Sequence, residues 1–281
     1  MVGTRALPHN EFVAGFERGL VATEAGTRYA MRVSTDVNPH GAAAIVAAGA
    51  DALRSVSATN PSAPVVYGLV PRALVPTSDD VKAASKGPRV AVVLDQPYDR
   101  RMALIRAVLP RARRIAVLYG PSSRLERSAV EAAVADRGLH LVQQTVLDAD
   151  ELHDALSRVL RDADVLLALP DPLVYGAGVV KSVLLETYRQ RVPVFAYSSA
   201  WVTAGALAAI YSAPGDLGQQ TASVTLKLLH EPASAQIAIH APAEFRIDIN
   251  EQVARSLDIA VPDRARIRER IEADTTTGDK P

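Results

Sequence analysis

The stretch from 164 to 212 constrains the fold more than any other. It reads DVLLAL, PDPLVYGAG, VVKSVLLETYRQR, VPVFAY, SSAWVTAG and ALAAIYS, which is a strand, a loop, a helix, a strand, a loop and a strand. Val165 to Leu169 is a continuous apolar run, as expected of a parallel strand covered on both faces. Pro170 and Pro172 end it, because proline has no N–H to give to a ladder. Beyond Gly178, helical spacing places Val179, Val183 and Leu184 on one stripe, with Glu186, Arg189 and Gln190 opposite. Val192 to Tyr197 is the next strand. Strand, crossover helix and strand make a βαβ unit, which is right-handed in nearly all cases. The loops 170–177 and 198–205 leave the carboxyl ends of their strands, where open α/β sheets bind ligands. The stretch predicts a small-molecule cleft and no particular chemistry.

The rest of the chain repeats the alternation. Helical spacing covers 10–22, with Phe12, Val13, Phe16 and Leu20 on one stripe. A strand is expected at 29–33, then a polar segment too short for a crossover helix, and a strand over 43–48. A helix over 50–58 and strands over 64–70 and 89–94 follow, the last two separated by a connection over 72–87. After a helix over 98–109, a second series starts near Arg113. It has a strand over 114–119, a helix over 125–137, a strand over 139–146 and a helix over 150–162. Beyond Ser212, Asp216 reads as the N-cap of a helix through Leu229. EFRIDIN (244–250) alternates as a half-exposed strand, followed by helices over 251–258 and to about Ala273. Strands alternating with helices define an α/β protein, and the restart points to two similar lobes of about 100 residues each.

Composition excludes several function classes. Lys+Arg and Asp+Glu number 31 each, so no global field draws the chain to nucleic acid or an anionic membrane. There is no cysteine, hence no disulfide, thiolate metal site or cysteine nucleophile. No apolar run approaches the ~18 residues of a membrane span. The first residues, MVGTRALPHNEF, contain no signal-peptide pattern. The reading is a periplasmic protein whose export signal has been removed, or a cytoplasmic one if the chain is full-length. The tail TTTGDKP is polar and reads as disordered.

Motifs for catalysis are weak. Gly176-Ala-Gly178 lacks the third glycine of a dinucleotide fingerprint, where Lys181 stands, and Val180-Lys181-Ser182 lacks the glycine of a P-loop. His9, His40, His140, His153, His230 and His240 show no metal-ligand spacing, and there is no GxSxG elbow. No cofactor or metal is expected. Strand-end residues carry the binding expectation instead. Asp171, fixed between two prolines, is either a carboxylate aimed at a ligand's ammonium or hydroxyl or a solvated turn residue. Ser122 and Ser123 read as ligand hydrogen-bonders or helix caps. Tyr197 and Ser198 offer a ring and a hydroxyl, and Trp201 either stacks on a ligand or packs its loop. Tyr119 ends a strand, and Asp95 with Gln96 are candidates from an opposite wall. Arg111, Arg113 and Arg114, with Arg100, Arg101 and Arg106, read as a solvated face or partner surface.

Three segments add a resemblance. AVLPRARRIAVLYGPSS, RVPVFAYSSAWVTAGALAAIYSAPGDLGQQTASVTLKLL and APAEFRIDINEQVARSLDIAVPD resemble the ABC-transporter substrate-binding family of type I periplasmic-binding fold, in its aromatic-amino-acid-binder branch. The similarity runs from about Phe12 to Pro262. It implies two Rossmann-like lobes with parallel sheets joined by a hinge, 1–111 with 213–235 and 112–212 with 236–281. A small polar ligand such as an amino acid is expected between the lobes, which close on it. A membrane permease or receptor would read the closed form, and the chain would be a monomer without enzymatic activity or nucleic-acid partner. The alternative is a ligand- or partner-sensing regulatory domain of the same fold without transport.

Overall fold

A computed structural model describes residues 7–22, 29, 31–32, 41–75, 87–230 and 237–276. The elements in order are α1 (Leu7–Val21), β1 (Ile45–Ala48), α2 (Ala50–Thr59), β2 (Val65–Val70), β3 (Arg89–Val93), α3 (Tyr98–Val108) and β4 (Arg114–Tyr119). Next come α4 (Arg127–Ala135), β5 (His140–Thr145), α5 (Leu152–Arg161), β6 (Val165–Leu167), α6 (Pro172–Tyr175), α7 (Val180–Arg189) and β7 (Val194–Ala196). The series ends with α8 (Ser199–Ala204), β8 (Ala208–Tyr211), α9 (Pro214–His230), β9 (Ile237–His240), β10 (Arg246–Ile249), α10 (Glu251–Ser256) and α11 (Arg264–Thr276).

The chain forms two compact units, Met1–Asp95 with Ser212–Phe245 and Gln96–Tyr211 with Arg246–Pro281. The expected boundaries at 111/112 and 235/236 differ from these for physical reasons. Helix α3 packs on α11, inside the second unit, and β9 pairs with β3 in the first. The expected strand over 29–33 includes residues outside the described set; Tyr29, Met31 and Arg32 belong to no strand. Residues 33–40 of the short polar segment, 76–86 of the connection and 277–281 of the tail also lie outside it.

The first unit's sheet has the order β1-β2-β3-β9, all parallel. Alternate side chains face opposite layers. Ile45, Ala47, Val65, Tyr67, Ala91 and Val93 meet Leu53 and Val56 of α2. Val46, Ala48, Val66, Val90 and Val92 meet Phe12 and Phe16 of α1 and Leu217 of α9. Helices α1 and α9 approach backbone to backbone. A Cβ on Gly15 would overlap the carbonyl of Gly215, and one on Gly218 the carbonyl of Phe12. Buried Arg89 anchors the loops at the amino ends of the strands. Its Nη1 donates to the carbonyls of Ala63, Gly87 and Pro88, and its Nη2 to Asn60 Oδ1 and the Pro61 carbonyl.

The second unit's sheet has the order β10-β8-β7-β6-β4-β5, parallel except for β10, which runs antiparallel to β8. At its amino edge Asp164 joins β6 to β4. Its carboxylate accepts from the backbone N–H groups of Arg113 (2.7 Å) and Arg114 (2.9 Å) and from the Arg114 guanidinium (2.8 Å). Partial burial works to raise the Asp164 pKa, but these donors outweigh it and hold the group below the ordinary carboxylate value. Two loops of the sequence reading are partly helical. Asp171 caps the single turn α6, and 198–205 contains α8. Strand β9 was not anticipated, because its four residues lack the alternation of half-buried strands.

Gly15→Ala and Gly218→Ala should each destabilise the chain by about 2 kcal/mol through overpacking. Gly178→Ala, where a Cβ meets nothing within 4 Å, should be neutral in the same urea titration. Asp164→Ala should lower the thermal midpoint at pH 7. Because the folded-state pKa is depressed, the lost stabilisation is present above the unfolded value near 4 and vanishes as pH falls through the folded value. The gap between the melting curves of the two proteins should therefore close only as the pH falls below the ordinary carboxylate value.

Candidate functional site

The strand order places a topological switch point between β4 and β6. From β4 the chain runs outward to β5, then returns to β6, β7 and β8 on the other side. At such a point adjacent loops leave in opposite directions and open a crevice outside the carboxyl ends. Here the pairing across the switch point is short. Strand β6 meets β4 only at Ile115↔Val165 and Ala116↔Leu166, although β4 continues to Tyr119. Farther along, the Leu118 N–H donates to the phenol oxygen of buried Tyr175 at 3.3 Å. That side chain satisfies a strand donor beyond the ladder, and its own pKa is raised, chiefly by burial.

Asp171 ties the two loops of the switch point together. Its Oδ2 accepts from the N–H groups of Ser122 (3.0 Å) and Ser123 (2.9 Å) and from Ser123 Oγ (2.9 Å). Its Oδ1 accepts from the N–H groups of Leu173 (3.0 Å) and Val174 (3.4 Å), capping α6. Ser123 Oγ also accepts from the Gly120 N–H at 3.0 Å. Any residue with a Cβ at position 120 would place it inside the Asp171 carboxylate. Asp171 is 2 % exposed, so its carboxylate faces chain donors. Both of its oxygens, and the hydroxyl of buried Ser123, are engaged within the chain, where the sequence suggested a direct ligand contact.

The remaining candidates divide in the same way. Ser122 is exposed on the crevice loop, and Tyr197 and Ser198 are half-buried at the end of β7. Trp201 is 5 % exposed and packs edge-on to Tyr175 at 5.9 Å and tilted to Tyr197 at 6.1 Å. Its ring neighbours are thus the residues of its own loop and of the loop after β6. Tyr119 is fully buried with the Arg127 guanidinium 5.0 Å from its ring centre, so it is core and not a ligand shelf. Its phenol pKa is raised, mainly by burial. Asp95, half-buried, accepts from the Arg72 N–H at 2.7 Å and braces the loops after β2 and β3. Gln96 is buried, and its Oε1 accepts from Arg100 at 3.0 Å.

One residue of the edge was misassigned from sequence. Arg101, grouped with the solvated basic cluster, is buried. Its Nε donates to the Gln96 carbonyl at 3.1 Å and its guanidinium lies 4.9 Å from the Tyr98 ring centre. The first turn of α3 is tied to the loop after β4, where Tyr98 donates to Glu126 at 3.1 Å. Burial raises the Tyr197 pKa, and the Trp201 hydrogen bond and the Arg101 charge oppose the rise. The available signal was helical spacing, since Arg101 shares a stripe with Ile105 and Val108 and all three are buried.

Among the described residues no group of three His, Asp or Glu side chains is placed to hold a metal ion. A shallow hollow lined by Ile249, Val261 and Pro262 lies at the other side of this sheet, where Ile249 pairs with the first residue of β8.

The family described as ABC transporter substrate binding protein matches residues 24–270. The chain belongs to that family. A curated relative is the tyrosine-binding protein of Clostridioides difficile (strain R20291), 22% identical over 214 residues. The match covers 72% of this chain and 61% of the relative's length. A Streptococcus pneumonia ABC domain solved with L-Trp superposes with a TM-score of 0.62 at 18% identity, over 96% of both chains. A substrate binding protein with adhesive properties from Clostridium difficile, ligand-free and open, gives 0.71 at 18% identity, over 94% of both. The fold of this family member is that of type I periplasmic binding proteins.

Asp171→Ala should leave the buried N–H groups of Ser123 and Val174 without a partner. It is expected to cost at least about 3 kcal/mol in denaturant titration and to speed amide exchange over 120–123. Gly120→Ala should reproduce the faster exchange. Unchanged exchange in both variants would refute the knot.

Proposed function

We propose that this chain is the solute-binding component of an ABC-type uptake system. It takes a small polar organic molecule of amino-acid size at the carboxyl edge of the second unit's sheet. The observation that carries this reading is the switch-point crevice itself. Its two loops are pinned by one buried carboxylate, while Ser122, Tyr197 and Ser198 stay at least partly open to solvent beside it. A rigid apolar body with a few fixed polar groups is what small-molecule sites require. Ser122 and Ser198 supply hydrogen bonds and Tyr197 an aromatic face, while Asp171, Ser123 and Trp201 hold them in place.

The names of the relatives support an aromatic amino acid or a molecule of similar size and polarity. The chain binds and releases this molecule without chemical change, outside the cytoplasm, and hands it to a membrane permease. No helix among the described residues is long and apolar enough to cross a membrane.

A thermal-shift screen against amino acids, aromatic acids and amines, sugars and nucleosides tests the reading. Ligand at 100 times its dissociation constant adds about 2.7 kcal/mol to the native state. The expected result is a clear rise in melting temperature that is reduced in Tyr197→Ala and Ser198→Ala, both of which should fold normally. A flat response from folded protein, or a rise indifferent to both substitutions, would overturn it.

A further inference from the structure

We infer that the molecule held at this edge carries a carboxylate, and that Arg101 binds it. This deepens the proposed function and rests on it.

Arg101 is 4 % exposed, and its Nη1 is buried with no hydrogen-bond partner among the described residues. No carboxylate among them forms an ion pair with it. A guanidinium is a cation, and burying a cation unpaired is strongly unfavourable. Arg89 shows how this same chain treats a structural arginine. It is equally buried and has no acid partner among the described residues, yet five hydrogen bonds to loop acceptors occupy its guanidinium. Arg101 has one, from Nε to the Gln96 carbonyl.

Position and surroundings point the same way. The first turn of α3 is tied to the loop after β4 by the Tyr98–Glu126 bond, and Arg101 is near enough to Tyr197 for its charge to act on that phenol. A guanidinium on a tyrosine face keeps its planar fork fixed. That fork matches the two oxygens of a carboxylate. The neighbouring acids do not compete, since Asp171 and Glu126 already accept hydrogen bonds from the chain. The edge therefore offers a positive charge and aromatic rings, and its recognition is directed at an organic acid more than at an amine.

Calorimetric titration of the full chain with three probes tests this: L-tyrosine, 3-(4-hydroxyphenyl)propionate, which keeps only the carboxylate, and tyramine, which keeps only the ammonium. The first two should bind, and tyramine should bind on the order of 100-fold more weakly. Arg101→Gln should weaken the two acids to the tyramine level and leave tyramine unchanged. Arg101→Lys, which keeps the charge without the fork, should fall between. If Arg101→Gln does not fold, the wild-type acid-to-amine ratio and the lysine variant decide. A ratio near one, or preferential binding of an uncharged molecule from the wider screen, would overturn the inference and leave the proposed function standing. Lower melting temperature in Arg101→Gln with an unchanged ratio would make the residue purely structural and also overturn it. No binding by any molecule of the screen would remove both.

Discussion

The hydrogen bonds accepted by Asp171 are the constraint on which the second unit's carboxyl edge depends. Two loops leave β4 and β6 in opposite directions, and nothing in the strand ladder joins them past Ala116. A single carboxylate, shielded from solvent and facing five donors, closes that gap. Several donors converging on one charged acceptor are worth more than isolated neutral bonds. Gly120 is the steric half of the same device, since the carboxylate occupies the volume a side chain would need. The groups left to meet a solute, Ser122, Tyr197 and Ser198, stand on or beside loops that this interaction makes rigid.

The alternation of strands and helices was legible because parallel strands are short apolar runs and their crossover helices are amphipathic. Strand β4 and the loops after β4, β6 and β7 were located to the residue or nearly so. What was not legible depended on pairing across sequence. Strand β9 has too little pattern of its own and is a strand because β3 offers it an edge. Asp171 reads as a ligand-directed carboxylate or a solvated turn residue until the Ser122 and Ser123 amides are brought to it from 49 and 48 residues away. Arg101 was lost among its neighbours because charge outweighed spacing in the reading. Its place on the buried stripe of α3 was available from the positions of Ile105 and Val108.

Small residues do comparable work in the first unit. Helices α1 and α9 meet through Gly15, Gly19, Gly215 and Gly218, and the distance between the helices is set by their backbones. Such a contact tolerates little variation, because even a methyl group would have to displace main chain. The layer on the other face of the sheet is built from Leu53, Val56 and Tyr67 and has side chains that can shift. The two faces of one sheet thus differ in how much change they accommodate.

The crossing pattern of the chain sets an order of completion during synthesis. Strand β3, residues 89–93, finds its outer neighbour only in 237–240, after the core strands of the second unit have been made. Until then β3 presents an open apolar edge, the kind of edge that recruits strands from other chains. Strands β4 to β7 have no such wait, since their partners lie within 114–211, and only the outer edge of β8 waits, for β10. The parallel strands of the second unit can therefore pair before the first unit's sheet is complete, while the second unit's outer strand β10 and the helix α11 that covers α3 come last of all.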